Sequence, residues 1–391
     1  MAFISGEKLG RIGRTIRQSP KTSLLCACKK VELKLLGKHA SGHAYNMPVG
    51  MDIELTNVCN LQCPWCDTQF YADKSIKKRE IPFEVYQQIA PKLKGLNRVM
   101  FCGGGETLTY KHAAEAVALT KQYVPTVLMH SNGVLLRGAR AEALARSGLD
   151  SLRISIDGSD EETFQQVRGT SLKKIMENLK HFSSVCDVPI STVSVISKTN
   201  WRSLLGVPDM LSEVGNVRHV YFQPVEVDFL EWERDEYYIS REEWFELRDT
   251  VLEKCRKHGL QTNIDDPDFD PLFFKPFDIC EYPFSGYITL NYEGFVAPCC
   301  RLTQVAHMGD LKEQSFGDVW NGEAFTRLRE LIIAGDYPSY CHDRCKYRVK
   351  MNEKPSAEKP GDVKWDALAQ APVPQGAGSS ALLDIESVAK G

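Results

Sequence analysis

Residues 51–66 read MDIELTNVCNLQCPWC. MDIEL (51–55) is short and apolar at alternate positions, which reads as a strand. It runs straight into Cys59, Cys63 and Cys66, spaced CxxxCxxC. Five further strand candidates follow: RVMFC (98–102), TVLMH (126–130), SLRISI (151–156), ISTVSVI (190–196) and HVYFQ (219–223). Segments of helical periodicity lie between them, at Phe83–Lys94, His112–Gln122, Leu172–Phe182 and Trp201–Val214. Six strand–helix units in succession specify an α/β fold, with a parallel sheet and helices outside it, open or closed as a barrel. No fixed-period repeat is present, which excludes a solenoid.

The segments after the strands are polar and glycine-rich: GGGET after the second, SNG after the third, DGSD after the fourth, SKTN after the fifth and PVE after the sixth. In parallel α/β barrels the loops at this end build the active site, so the three cysteines belong to it. A 4Fe–4S cluster is normally held by four thiolates. Three leave one iron open, and an open coordination position marks catalysis rather than structure. A zinc site completed by a distant fourth ligand is the alternative.

The remainder of the chain sets bounds. It has 391 residues, 48 basic against 51 acidic, and a net charge of −3, so no bulk field points to nucleic acid. No run approaches the roughly 18 apolar residues that cross a bilayer, and no secretory signal is evident. Thirteen cysteines without such a signal imply a reducing, cytoplasmic setting in which cysteine clusters are metal or catalytic sites. Residues 1–47 form a basic helical extension; Leu24, Leu25, Val31, Leu35 and Leu36 make an apolar stripe suited to packing on the main domain or to docking on a membrane or partner. Residues 351–391, rich in Pro, Ala, Gly and Ser, read as a disordered tail.

CNLQCPWC after a first strand resembles the signature of the radical S-adenosylmethionine (SAM) superfamily. The resemblance implies a partial (β/α)6 TIM-like barrel at residues 48–235, whose open iron binds SAM and reductively cleaves it to methionine and a 5′-deoxyadenosyl radical. It places Trp65 beside the adenine. Gly103, Gly104, Gly105 and Glu106 match the family's GGE segment, although Thr107 stands where Pro is usual. Glycines allow close backbone approach, and Glu106 offers a carboxylate to the methionine ammonium. Ser155 in SIDG and Arg168 resemble positions that reach the SAM carboxylate or ribose; Arg168 also suits an ordinary ion pair. Asn132 is a ribose candidate.

Beyond a helical linker (236–275, with a helix at Arg241–His258) lies a cysteine-rich α+β region, 276–350. YITL and FVAPC read as a hairpin turning at Gly294. The stretch CEYPF…ITLNYEGFVAPCC…GDLKEQSFGDVWNG…LREL…GDYPSYCHDRC resembles the SPASM and Twitch domains, which carry auxiliary 4Fe–4S clusters. The resemblance implies one auxiliary cluster on Cys280, Cys299, Cys341 and Cys345, a set that would also suit zinc. Cys300 is then spare.

These features imply a radical SAM enzyme acting on a small molecule (a sugar, aminocyclitol or natural-product intermediate), with oxidation or dehydrogenation as the reaction. The roughly 50 residues before the barrel favour a small substrate over a peptide. A peptide maturase or an epimerase is the alternative, and a non-enzymatic iron–sulfur electron carrier a distant one. A one-electron reductant such as flavodoxin or ferredoxin is the expected partner. Cys102, Cys300, His130 and Glu226 are candidates for moving hydrogen or protons.

Overall fold

The structure is a computed structural model describing residues 28–29, 31–33, 35–36, 40–64, 66, 79–225, 237–272, 279–304, 306–338 and 341. The six expected strands are present: β1 (Gly50–Ile53), β2 (Arg98–Phe101), β3 (Thr126–Ser131), β4 (Ser151–Ser155), β5 (Ile190–Ile196) and β6 (Val217–Pro224). They pair in sequence order, every one parallel to the next. The interposed helices are α1 (Phe83–Ile89), α2 (Ala113–Lys121), α3 (Gly138–Ala145), α4 (Glu161–Arg168), α5 (Leu172–Val185), α6 (Trp201–Leu204) and α7 (Val207–Leu211). The periodic stretch Trp201–Val214 divides into α6 and α7 because Pro208 sits in the first turn of a new helix, where its missing N–H costs nothing. At Pro91 α1 likewise gives way to a short 3-10 turn, Ala90–Leu93.

Side-chain alternation separates two faces of the sheet. Val99, Phe101, Val127, Met129, Leu152 and Ile154 are fully buried and form the outer face beneath the helices; the Tyr86 ring of α1 meets Phe101 at 6.1 Å. Asp52, Arg98, Cys102, His130, Arg153 and Ser155 occupy the alternate positions, in register across β1 to β4. They make the inner face, which carries charge.

Both sheet edges depart from the expected domain divisions. Helix α8 (Arg241–His258) has the bounds read from sequence, with a Ser240–Glu243 capping box and Gly259 as a left-handed C-cap. It is followed by an unanticipated strand, β7 (Gln261–Thr262), which pairs with β6. On the other side, the short helix α9 (Tyr282–Ser285) leads into the hairpin β8 (Tyr287–Leu290) and β9 (Phe295–Ala297), and β10 (Gly309–Asp310) adds to β9. β8 lies parallel to β1, Asp52 opposite Thr289. The cysteine-rich region therefore continues the barrel's own ten-stranded sheet. It is then backed by α10 (Phe316–Trp320) and α11 (Glu323–Ala334).

The N-terminal stripe does not pack as expected. Val31, Leu35 and Leu36 are exposed, whereas Lys29 is buried. The Lys29 ammonium donates to Ser41 O (2.5 Å) and to Glu32 (3.1 Å) and stands 5.8 Å from the Phe284 ring centre. A charged side chain with three such partners takes the inward position, and the apolar residues turn out. Leu24, Leu25 and the 351–391 tail lie outside the described residues.

Candidate active site

The three-cysteine loop leaves β1 and is anchored on both flanks. Asn57 N donates to Arg79 O, Arg79 N donates to Asn57 Oδ1 (2.7 Å), and Val58 N donates to Thr56 Oγ1. On the opposite flank, Glu106 N donates to Val58 O (2.8 Å) and Asn132 Nδ2 donates to Asn60 Oδ1 (2.8 Å). The loops after β1, β2 and β3 thus form one hydrogen-bonded unit.

The GGGE turn packs against that loop with no space for side chains. A Cβ on Gly105 would stand 2.2 Å from Thr56 O, and one on Gly103, at φ +154°, 2.6 Å from the Glu54 side chain. Glu54, a residue that the sequence reading passed over, accepts from Gly104 N (2.6 Å). The buried Glu106 carboxylate accepts from Leu108 N (3.0 Å), Ser131 Oγ (2.7 Å) and Asn132 N (2.7 Å). It caps the turn after β2 and ties it to β3, with a single donor on Oε2. Burial raises its pKa against the pull of these donors.

Cys59, Cys63 and Cys66 lie close together. Burial pushes Cys63 up to about 11, with Cys66 and Cys59 adding to the rise and Arg168 opposing it. Cys59 is raised by burial and by Glu106 and Cys66. Arg168, the last residue of α4, forms an ion pair with Asp157 (3.2 Å). Burial works against its charge, but Asp157 and the three thiols outweigh it and raise its pKa. Its Nε is buried with no hydrogen-bond partner. Asp157 was not anticipated; Val195 N donates to its Oδ1 (2.7 Å), fixing the carboxylate that holds Arg168.

Two other expected SAM contacts are occupied within the protein. Ser155 Oγ stands 2.9 Å from His130 Nε2. Asn132 Oδ1 accepts from Val134 N. Burial, then Arg153 and Arg168, lower His130 to about 3. Trp65, Glu226 and Cys345 lie outside the described residues.

The second thiol set gathers behind the hairpin. Burial, then Cys300, Cys280 and Cys341, hold Cys299 well above the ordinary thiol value. Cys280 N donates to Tyr337 Oη and Cys341 N to Pro338 O. Cys300 is exposed in the turn beside Cys299, within the set rather than apart from it. Cys102 is raised by burial, then by Asp52, Cys300 and Glu54, while Arg153 works against the rise. These neighbours bring the second thiol set up to the inner face of the barrel.

Three thiols around a buried guanidinium, against a glycine backbone that excludes side chains, suit an iron–sulfur cluster with one open iron and an anionic ligand beside it. Among the described residues, no three His, Cys, Asp or Glu side chains close around a single metal ion; a cluster, with iron at several corners, asks for wider spacing. The class is that of an iron–sulfur enzyme with its site at the carboxyl ends of a parallel barrel. Residues 53–204 match the radical SAM superfamily model and residues 280–346 an iron–sulfur cluster-binding SPASM domain. The chain belongs to the radical SAM superfamily, with a C-terminal SPASM domain, and its cofactors are SAM, a 4Fe–4S cluster and auxiliary iron–sulfur. It is 24% identical over 309 residues to the AdoMet-dependent heme synthase of Methanosarcina barkeri, covering 73% of this chain and 86% of that protein. It is 24% identical over 293 residues to the PqqA peptide cyclase of Granulibacter bethesdensis, covering 72% and 76%. The fold matches Streptococcus suis SuiB bound to the precursor peptide SuiA with a TM-score of 0.58 at 15% identity, covering 77% of this chain and 69% of that one. No helix among the described residues is long and apolar enough to cross a membrane.

Proposed function

We propose that this radical SAM enzyme modifies a peptide substrate and that its auxiliary site serves the same reaction. The observation that carries the reading is the alignment with a peptide cyclase over 72% of this chain. The peptide, second choice on sequence alone, thereby moves ahead of a sugar or aminocyclitol. SAM, bound at the open iron of a cluster on Cys59, Cys63 and Cys66, supplies the 5′-deoxyadenosyl radical that removes hydrogen from the substrate. Arg168, oriented by Asp157, presents its guanidinium to the SAM carboxylate. The backbone of Gly103–Gly105 lies along the methionine portion, and Trp65 beside the adenine. Cys280, Cys299, Cys341 and Cys345 would hold an auxiliary cluster, which would supply an electron acceptor for an oxidation. A flavodoxin or ferredoxin of the cytoplasm reduces the first cluster.

Oxidation of a small molecule is the second reading, favoured by the alignment with a heme synthase over a similar span. The test uses the reduced, cluster-loaded protein with SAM and with peptides encoded beside its gene. Mass spectrometry should find 5′-deoxyadenosine together with a peptide of altered mass. Formation of 5′-deoxyadenosine stimulated by small metabolites and indifferent to every such peptide would overturn the peptide reading.

A further inference from the structure

Two arginines and an aspartate meet on the inner face of the barrel, where a soluble protein ordinarily places apolar or fully paired groups. Asp52 is on β1, Arg98 on β2 and Arg153 on β4; the charges of both arginines act on Asp52, and that of Arg98 acts on Arg153. Asp52 Oδ1, Arg98 Nε, Arg153 Nε and Thr289 Oγ1 are all buried without a hydrogen-bond partner. Thr289, on β8, is Asp52's neighbour in register and faces the same way. Buried polar atoms are nearly always paired. Four unpaired atoms on one wall point to a polar ligand that the wall is built to receive.

The arginines are held ready for it. The Arg98 guanidinium lies 5.2 Å from the Tyr287 ring centre and donates to Tyr287 Oη (3.0 Å). The Arg153 guanidinium lies 5.1 Å from the ring centre of Tyr221, on β6. Ring contacts fix the planes of both guanidinium groups and leave their Nε edges unused. The two guanidinium charges share this face with the Asp52 carboxylate and, two residues further along the chain, with that of the buried Glu54.

We propose that Arg98 and Arg153 form a binding site for a carboxylate of the substrate. The inference rests on the reading that a substrate enters the barrel, and it adds the class: a peptide with an acidic side chain or a free carboxyl terminus. A carboxylate matches the flat guanidinium fork, and it brings less negative charge beside Asp52 and Glu54 than a phosphate dianion would. Arg98 precedes Cys102, where the GGGE turn begins, by four residues, about 13 Å along a strand, whereas Arg153 pairs with His130 and is level with Cys102. A carboxylate held between the two side chains therefore leaves the rest of the substrate near the SAM end.

The test titrates the SAM-loaded, two-cluster protein with N-acetyl-glutamate methylamide and with its glutamine counterpart, reading affinity by calorimetry. The acid should bind about 10-fold or more tighter than the amide, as expected for a charge-assisted hydrogen bond. Arg153→Gln should bring the ratio close to one, and Asp52→Asn should raise it by removing a competing carboxylate. Arg98→Gln, expected to lower the ratio as well, carries the test if Arg153→Gln does not fold. Equal binding of acid and amide, no binding of the acid, or a ratio that survives both arginine changes would overturn the proposal. The 5′-deoxyadenosine assay is read separately. A preserved ratio with no SAM cleavage would leave the carboxylate site standing and remove the functional reading instead.

Discussion

Cys59, Cys63 and Cys66 stand on a loop held by the segments after β2 and β3 and by residues 79–81, beside a buried cation. Cys280, Cys299, Cys300 and Cys341 stand around a hairpin at the sheet edge, with Tyr337 and Tyr282 near them. The first set has three thiols and a guanidinium. The second is richer in thiols, and the arginine among the groups that shift Cys299, Arg301, acts there through its backbone N–H. An open iron needs a neighbour that binds the ligand's charge, and Arg168 supplies one. A closed cluster needs only thiolates. On this contrast rests the proposal that SAM chemistry belongs to the first set and electron storage to the second.

The largest expected effect separates the two sets. Replacing Cys59, Cys63 and Cys66 by Ala should abolish 5′-deoxyadenosine formation and leave about four of roughly eight iron atoms per chain. Replacing Cys280, Cys299, Cys341 and Cys345 should leave SAM cleavage measurable and remove the other half. Iron near four per chain in the unaltered protein, with zinc as the balance, would break the contrast.

Next in size is Arg168→Gln, which leaves Asp157 buried without its partner. Breaking a buried pair costs about 3–5 kcal/mol, so urea unfolding should shift by that much, while Asp157→Asn with Arg168→Gln together should recover part of it. Gly105→Ala places a methyl against Thr56 O, which is backbone and cannot step aside. Overpacking of this kind costs about 3 kcal/mol at the upper end of the usual range. The variant should lose iron from the first site while the second keeps its own; equal loss from both would show that the loops are not independent.

The smallest effect is a pH slope. Burial, against the attraction of Arg98 and Arg153, raises Asp52 to about 6. The folded chain keeps a proton that the unfolded chain releases near pH 4. This contribution to stability is complete below about pH 4, declines as pH rises, and is gone above about pH 6. Asp52→Asn should remove that component from stability measured across the interval; an unchanged slope would place the Asp52 carboxyl in water.

Strand order and the thiol spacing were legible because both are local. β-branched runs mark the strands, and CxxxCxxC with its place after β1 marks the site. The partners that complete the site were not legible. Glu54 reaches Gly104 across 50 residues and Asp157 reaches Val195 across 38, and neither sits at a spacing that a local pattern reveals. The motif of Glu106 was visible, while its three donors, one at the end of β3 and one just after it, were not. The cysteine-rich region was read as separate because nothing in YITL says that it pairs with MDIEL. That pairing, β8 against β1, brings the second thiol set to the barrel's inner face.

The most direct measurement is electron paramagnetic resonance of the reduced clusters with and without SAM, in the two multiple-cysteine variants. SAM should alter the spectrum of the variant that keeps Cys59, Cys63 and Cys66 and leave unchanged the spectrum of the variant that keeps Cys280, Cys299, Cys341 and Cys345. A SAM-induced change in the latter would contradict the assignment of the open iron to the three-cysteine loop.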